Sequence, residues 1–225
     1  MKKALKLIPL IVIVCIICAH AVAITPGTTI DTFFSTNQQA SDYTDLDEVP
    51  WAVASINQLS NWGIISGYKD NLFKPLENMT RAECVKTIVC AFGMYDENTA
   101  HDFLDNAPDQ WYYKYVSAAV DKGIAKGESD EWFAASSNIT RDDESVLVKR
   151  AIDFSGLQLK DEKTEYSFPD QNEIADYATD SVDYLASHGL LRGNDTGNFK
   201  PQDTITRAEL AVLVSRALSG AVNEI

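Results

Sequence analysis

Residues 51–83 read WAVASINQLSNWGIISGYKDNLFKPLENMTRAE, and the frame of this stretch returns twice. From Trp51, Gly63 stands twelve residues on, Gly67 sixteen, Phe73 twenty-two and Arg81 thirty. From Trp111 the same spacings give Gly123, Gly127, Phe133 and Arg141, and from Tyr177 they give Gly189, Gly193, Phe199 and Arg207. Each arginine follows a threonine: Thr80, Thr140 and Thr206. No gap is needed within the frame, so it is an internal repeat rather than a coincidence. Upstream of each anchor lies an aromatic-x-Asp: Tyr43-Thr44-Asp45, Phe103-Leu104-Asp105 and Phe168-Pro169-Asp170. The third has one extra residue before its anchor.

Each unit reads as helix, loop, helix. In the first helix, Ile56 and Leu59, then Val116, Ala119 and Val120, then Val182, Leu185 and Ala186 recur at helical spacing. Gly63, Gly123 and Gly189 then sit where a left-handed residue closes a helix. Turn-forming residues follow, Asp70-Asn71 and 195–198, each leading to a Lys-Pro pair. The second helix opens on Thr80-Arg81-Ala82-Glu83 and Thr206-Arg207-Ala208-Glu209, which are capping boxes. Thr140-Arg141-Asp142-Asp143 is a weaker box with a shorter acid. Alanines at 91, 151 and 217 suit close helix approach. A unit of this size cannot bury its own apolar stripe, so the copies must pack on one another. The expected architecture is all-α: three helix-loop-helix repeats, at 43–94, 103–154 and 167–220, closed into a pseudo-threefold helical bundle.

The chain's net charge of -14 opposes nucleic-acid binding, which needs clustered positive charge. An anionic ligand must therefore be held by local donors against an unfavourable overall field. Lys2, Lys3 and Lys6, the apolar run at 7–19 and Ala21-Val22-Ala23 have the layout of a secretory signal peptide over residues 1–23. The alternative is an uncleaved anchor over 7–23. A polar lead-in spans 24–42. Cys84 and Cys90 lie six apart in one expected helix, about 9 Å of rise, too far for a disulfide. They are expected as buried free thiols. With no histidine nearby they form no zinc site, and neither metal nor cofactor is expected.

The threonine and glutamate of the boxes are explained by capping. The arginine is not, since a cation in the first turn faces the positive end of the helix dipole. Two readings stand side by side. Arginine beside free helix-start amides makes a site for a carboxylate or phosphate. Alternatively, the arginine pairs with an acid of a neighbouring copy, such as the aspartate of aromatic-x-Asp. Trp51, Trp111 and Tyr177 are either core residues at a helix start or walls for a sugar. The glycines are caps that also admit a ligand close to the backbone.

Aromatic-x-Asp, the anchor tryptophan, Gly63-Ile64-Ile65-Ser66-Gly67, Phe73-Lys74-Pro75 and Met79-Thr80-Arg81-Ala82-Glu83 together resemble the S-layer homology domain. The resemblance covers about residues 43–220. It implies grooves between repeats that hold a secondary cell-wall polysaccharide, often through a pyruvylated N-acetylmannosamine, and so attach a secreted protein to the bacterial cell wall or surface layer. Similar domains elsewhere contact modified peptidoglycan. The candidate ligand residues that follow are Arg81, Arg207 and Arg141, the aromatics Trp51, Trp111 and Tyr177, the glycines Gly67, Gly127 and Gly193, and Asp45, Asp105 and Asp170. Asp142-Asp143 beside Arg141 departs from the family pattern and would neutralise it, so Arg81 and Arg207 are expected to carry more of the binding. Tyr177 in place of tryptophan is a further departure.

Three other readings compete. Catalysis finds no support, since no carboxylate pair or histidine constellation singles itself out. A calcium loop at 194–198 lacks the glutamate of an EF-hand, as Ile205 stands at the twelfth position. A surface-layer scaffold binding other proteins is compatible with the repeats.

Overall fold

The computed structural model describes residues 43–159 and 166–220. The expected signal peptide and lead-in lie outside the described residues. Among the described residues six α-helices follow in pairs: α1 (Val53–Asn61) and α2 (Arg81–Ala91), α3 (Tyr113–Asp121) and α4 (Arg141–Ser155), α5 (Asp176–Ser187) and α6 (Arg207–Ser219). Among the described residues there is no sheet, and no helix is long and apolar enough to cross a membrane.

Local signals set these boundaries. Gly63, Gly123 and Gly189 adopt φ of 70°, 71° and 69° just past the ends of α1, α3 and α5. Only glycine takes that conformation without a Cβ penalty. Thr80 and Thr206 form complete capping boxes with Glu83 and Glu209. At Thr140 the threonine half alone is present, because Asp143 is a methylene shorter than glutamate.

The pairing of helices is not between sequence neighbours within a unit. α3 packs on α2, α5 on α4, and α1 on α6. Each first helix therefore covers the second helix of the preceding unit, and the first unit covers the last. The second helices α2, α4 and α6 also touch one another around the centre. Phe73, Phe133, Phe199, Ile56, Leu59, Ile88, Ile152 and Leu185 are among the side chains fully buried in one core that draws on all three units. Ala91, Ala151 and Ala217 are buried as well. Cys84 and Cys90 are buried free thiols.

A ring of backbone hydrogen bonds closes the centre. The Met79 amide donates to the Ile205 carbonyl (3.0 Å), Ile205 to Ile139 (3.1 Å) and Ile139 to Met79 (3.1 Å). One step further, the Arg81 and Ala82 amides donate to the carbonyls of Ser137 and Ala135. Arg141 and Asp142 use those of Asp203 and Pro201, and Arg207 and Ala208 those of Glu77 and Pro75. The first helical turn leaves amides without intrahelical partners. Here the loop of another unit supplies them. The helix starts are therefore not free to bind an anion through their amides, which corrects that part of the sequence reading.

Candidate functional site

The loop before each second helix is tied down by the aspartate of aromatic-x-Asp. Asp45 accepts from the Phe73 and Lys74 amides at 2.8 and 2.7 Å, and Asp170 from Phe199 and Lys200, both at 2.7 Å. Asp105 accepts from Phe133 and from Ala135, both at 2.8 Å. The shift to residue 135 has a simple cause: Pro75 and Pro201 have no amide to offer, and Ala135 does. These bonds hold Lys74, Ala134 and Lys200 at φ of 60–63°, unusual for residues with a Cβ. Burial pushes the Asp170 carboxyl up, but the Lys200 and Phe199 amides outweigh it and hold the group below its usual range. The aspartates thus serve the backbone and do not pair with the arginines.

Gly67, Gly127 and Gly193 lie where the loop crosses itself. A Cβ at Gly127 would meet the Ser129 carbonyl oxygen, the Phe103 ring at 2.6 Å and the Trp132 carbonyl at 2.8 Å. Two of these are backbone atoms that cannot turn away. Gly127→Ala is expected to destabilise the fold by roughly 1–3 kcal/mol. Thermal unfolding checks this, and an unchanged midpoint would contradict the crowding.

The three arginines lie on the loop of the next unit. Arg207 is stacked over Phe73 (4.6 Å) and Tyr68 (4.9 Å), with Nε donating to the Phe73 carbonyl and NH2 to that of Ser66. Arg141 covers Phe199 at 4.8 Å and donates to the carbonyls of Phe199 and Arg192. Arg81 covers Phe133 at 5.0 Å and donates to the Lys126 carbonyl. Ser66, Lys126 and Arg192 each precede the second glycine of their loop. So the arginine has a role that neither sequence reading contained: it clamps one unit's helix to the next unit's loop. A guanidinium has five N–H donors, and two or three are engaged here, so each arginine retains donors for a ligand.

Arg81 also pairs with Asp143, and Arg141 with Glu209, both at 3.5 Å. The acids next to Arg141 in sequence do not touch it. Asp142 is buried and accepts from the Ala175 amide and Gln202. Asp143 faces Arg81 and accepts from the Tyr177 hydroxyl at 2.9 Å. The neutralisation expected of Arg141 is thus not what this geometry contains.

Trp51, Trp111 and Tyr177 are 55%, 51% and 61% exposed, unlike core residues. Trp51, Arg141 and Gly193 line one cavity of about 680 Å³. Its wall is drawn from all three units: Trp51 from the first, Arg141 from the second, the 190–200 loop and α6 from the third. Tyr177 and Arg81 meet across Asp143, and Lys86 on α2 stands 5.9 Å from the Trp111 ring. These are the matching elements of the other two grooves. Sequence reasoning did not find Arg192, Lys200, Arg216 and Glu144 in the first cavity. The register of the repeat would have located them; only Lys200 stands in a motif, the Lys-Pro pair, and that pair read as a turn. Among the described residues no cluster of histidine, cysteine or acidic side chains could hold a metal.

A family model described as the S-layer homology domain matches residues 42–84, 103–143 and 167–211. An endoglucanase of Bacillus sp. (strain KSM-635) is 29% identical over 189 residues, which is 82% of this chain and 20% of the enzyme. The surface-layer 125 kDa protein of Lysinibacillus sphaericus is 26% identical over 183 residues, 80% of this chain and 15% of that protein. A cellulosome-anchoring protein of Acetivibrio thermocellus is 29% identical over 177 residues, 71% of this chain and 37% of that protein. The chain thus spans well under half the length of these relatives.

Proposed function

The chain belongs to the S-layer homology domain family, and from that premise we propose that it attaches non-covalently to the bacterial cell wall by holding an anionic wall glycan in its grooves. The family is a binding and anchoring one, and the enzyme-named relatives match along a small part of their length. The observation that carries the reading is the cavity where exposed Trp51, Arg141 and Gly193 converge from three units. Its parts suit a sugar that carries an acid. The Trp51 face offers an apolar wall to a sugar ring. The remaining guanidinium donors of Arg141 receive a carboxylate or phosphate, by charge-assisted bonds that are stronger than neutral ones. Gly193, whose missing side chain makes room for the Gly197 backbone, lets the loop fold into the cavity wall. A pyruvylated N-acetylmannosamine of a secondary cell-wall polysaccharide meets these demands, and placement at the cell surface follows. Proteins named as surface-layer proteins among the relatives also favour a second role in a surface lattice.

Retention on purified, deproteinised cell wall tests the reading. Because the arginines also clamp the fold, Arg→Lys is the informative change, with Arg→Ala as the severe one. Loss of a charge-assisted contact is worth about 1.5–3 kcal/mol, roughly 10- to 100-fold in affinity. Arg→Lys at the occupied grooves is therefore expected to lower retention by at least about tenfold. Because lysine lacks the fork that holds the loop carbonyls and stacks on the phenylalanine, it also lowers the unfolding midpoint, and retention is compared well below that midpoint. Undiminished retention in the triple Arg→Lys variant would sink the glycan reading. Wall preparations with and without the secondary polysaccharide separate that ligand from peptidoglycan.

A further inference from the structure

We infer that the three grooves are unequal: only the one walled by Trp51 has an ionisable carboxyl on its floor, Glu144, which governs how tightly that groove holds its ligand. The inference rests on the glycan reading above and adds which residue sets the affinity of one groove.

The repeat register places four side chains around each groove's anion position. In the Trp51 groove these are Arg141, Arg192, Lys200 and Arg216, all lining the one cavity. The corresponding positions around Arg81 are Lys126, Ala134 and Arg150, and around Arg207 they are Ser66, Lys74 and Cys90. With Lys69 and Lys86, which stand at the register positions of the cavity-lining Asp195 and Val212, the cations number four, three and four, so their number does not rank the grooves. Asp142 and Asp143, whose side chains point to other partners, do not single out the Arg141 groove as the weak one.

Glu144 occupies the position held by Cys84 in the first unit and Leu210 in the third. It is 1% exposed, it lines the cavity, and its Oε1 has no hydrogen-bond partner among the described residues. A buried polar atom without a partner is costly, and a ligand group that satisfies it gains correspondingly. The groups around it are Arg141 on its own helix, Glu209 and Arg216 on α6, and the Cys84 thiol on α2. On the α5 side, Asp142 rather than Glu144 makes the contact, accepting from the Ala175 amide. Burial above all, with Glu209 adding to it and Arg141 opposing, pushes the Glu144 carboxyl up to about 8.

Near neutral pH the group is a protonated carboxyl, able to donate to a sugar hydroxyl or to an N-acetyl carbonyl. The cavity's cations then face three carboxylates, Asp195, Asp203 and Glu209. Above about pH 8, Glu144 ionises, its donor is lost, and a fourth negative charge enters beneath Arg141. Anion affinity in this groove should fall over that step.

The test uses the whole chain and the soluble polysaccharide released from deproteinised wall, with affinity measured by calorimetry from pH 6.5 to 9. Arg141→Lys is expected to weaken binding in this groove at least about tenfold. Wild-type affinity is expected to drop roughly tenfold as pH rises through 8, and Glu144→Gln to remove the drop. Arg192→Gln and Lys200→Gln, both exposed, test the same groove without touching the clamp, and each should weaken binding. A pH drop that persists in Glu144→Gln would overturn the role of Glu144. No wild-type binding at any pH would overturn the glycan reading itself.

Discussion

A chain ending at Leu159, with the first two units intact, is expected to lose its cooperative fold rather than keep two working units. The reason is the ring closure. α1 rests on α6, so Ala52, Ile56 and Leu59 lose their cover when the third unit is removed. α6 also brings Leu210, Val212, Leu213, Val214 and Leu218 into the core. Burying each such side chain contributes about 1.5–3 kcal/mol. Five of them together rival the roughly 5–15 kcal/mol by which whole domains are stable. Removal of Ile205 also breaks the central ring of hydrogen bonds and leaves the Met79 amide and the Ile139 carbonyl without their partners. An open stack of repeats would behave differently, since its members depend on nearest neighbours alone and a terminal loss is partial. Circular dichroism through a thermal ramp distinguishes the two. A sharp transition in the truncated chain, close to that of the whole, would show that the ring does not hold the fold together.

Asp170→Ala is expected to destabilise the protein by about 3–5 kcal/mol, among the largest effects of any single substitution. Asp170 is buried and accepts from two amides through both oxygens. Bonds to an ionised group contribute about 1.5–3 kcal/mol each, and the alanine leaves both amides unsatisfied. The loss would be felt at the groove, because those amides belong to Phe199, the shelf under Arg141, and to Lys200. The pH dependence has a definite sign. The carboxyl of Asp170 is held below its ordinary value of 3.8 in the folded state. Its contribution is therefore present in full above about pH 4–5 and is lost as pH falls through the folded value. Asp170→Ala should narrow the gap to wild type in that acid range and hold it constant from pH 5 upward. Chemical denaturation at pH 7 and pH 3 measures both. An equal gap at the two pH values would mean that the carboxylate charge contributes nothing.

Much of this was legible in the residues. Thr80 and Thr206 each followed by glutamate at the third helical position, and Gly63, Gly123 and Gly189 past the helix ends, are short-range signals. They work through atoms of residues close in sequence, so the chain states them directly. The apolar positions of each helix were legible for the same reason. What they face was not. Ile56 and Leu59 announce a buried face, but a periodic stripe is equally satisfied by α2 of its own unit or by α6, 150 residues away.

The arginine shows the same division. Its recurrence marked it as more than a helix component. Its contacts, the carbonyls of Ser66, Lys126 and Arg192 and the rings of Phe73, Phe133 and Phe199, belong to another unit and mostly to the backbone, which carries no residue signature. Asp142 and Asp143 were misleading because adjacency in sequence says nothing about direction. On a helix, neighbours in sequence point about 100° apart, and these two leave Arg141 for Ala175 and Arg81.

The amino-acid sequence alone determined three copies of a helical unit, their caps, their buried faces and an arginine at each second helix start. Tertiary structure alone decided which helix covers which, that the helix-start amides are taken, and that Trp51, Arg141 and Glu144 share one cavity. The physical reason is range. Caps and periodicities act within a turn or two of chain, whereas the ring and its grooves exist through contacts between units, whose energies depend on where closure brings them.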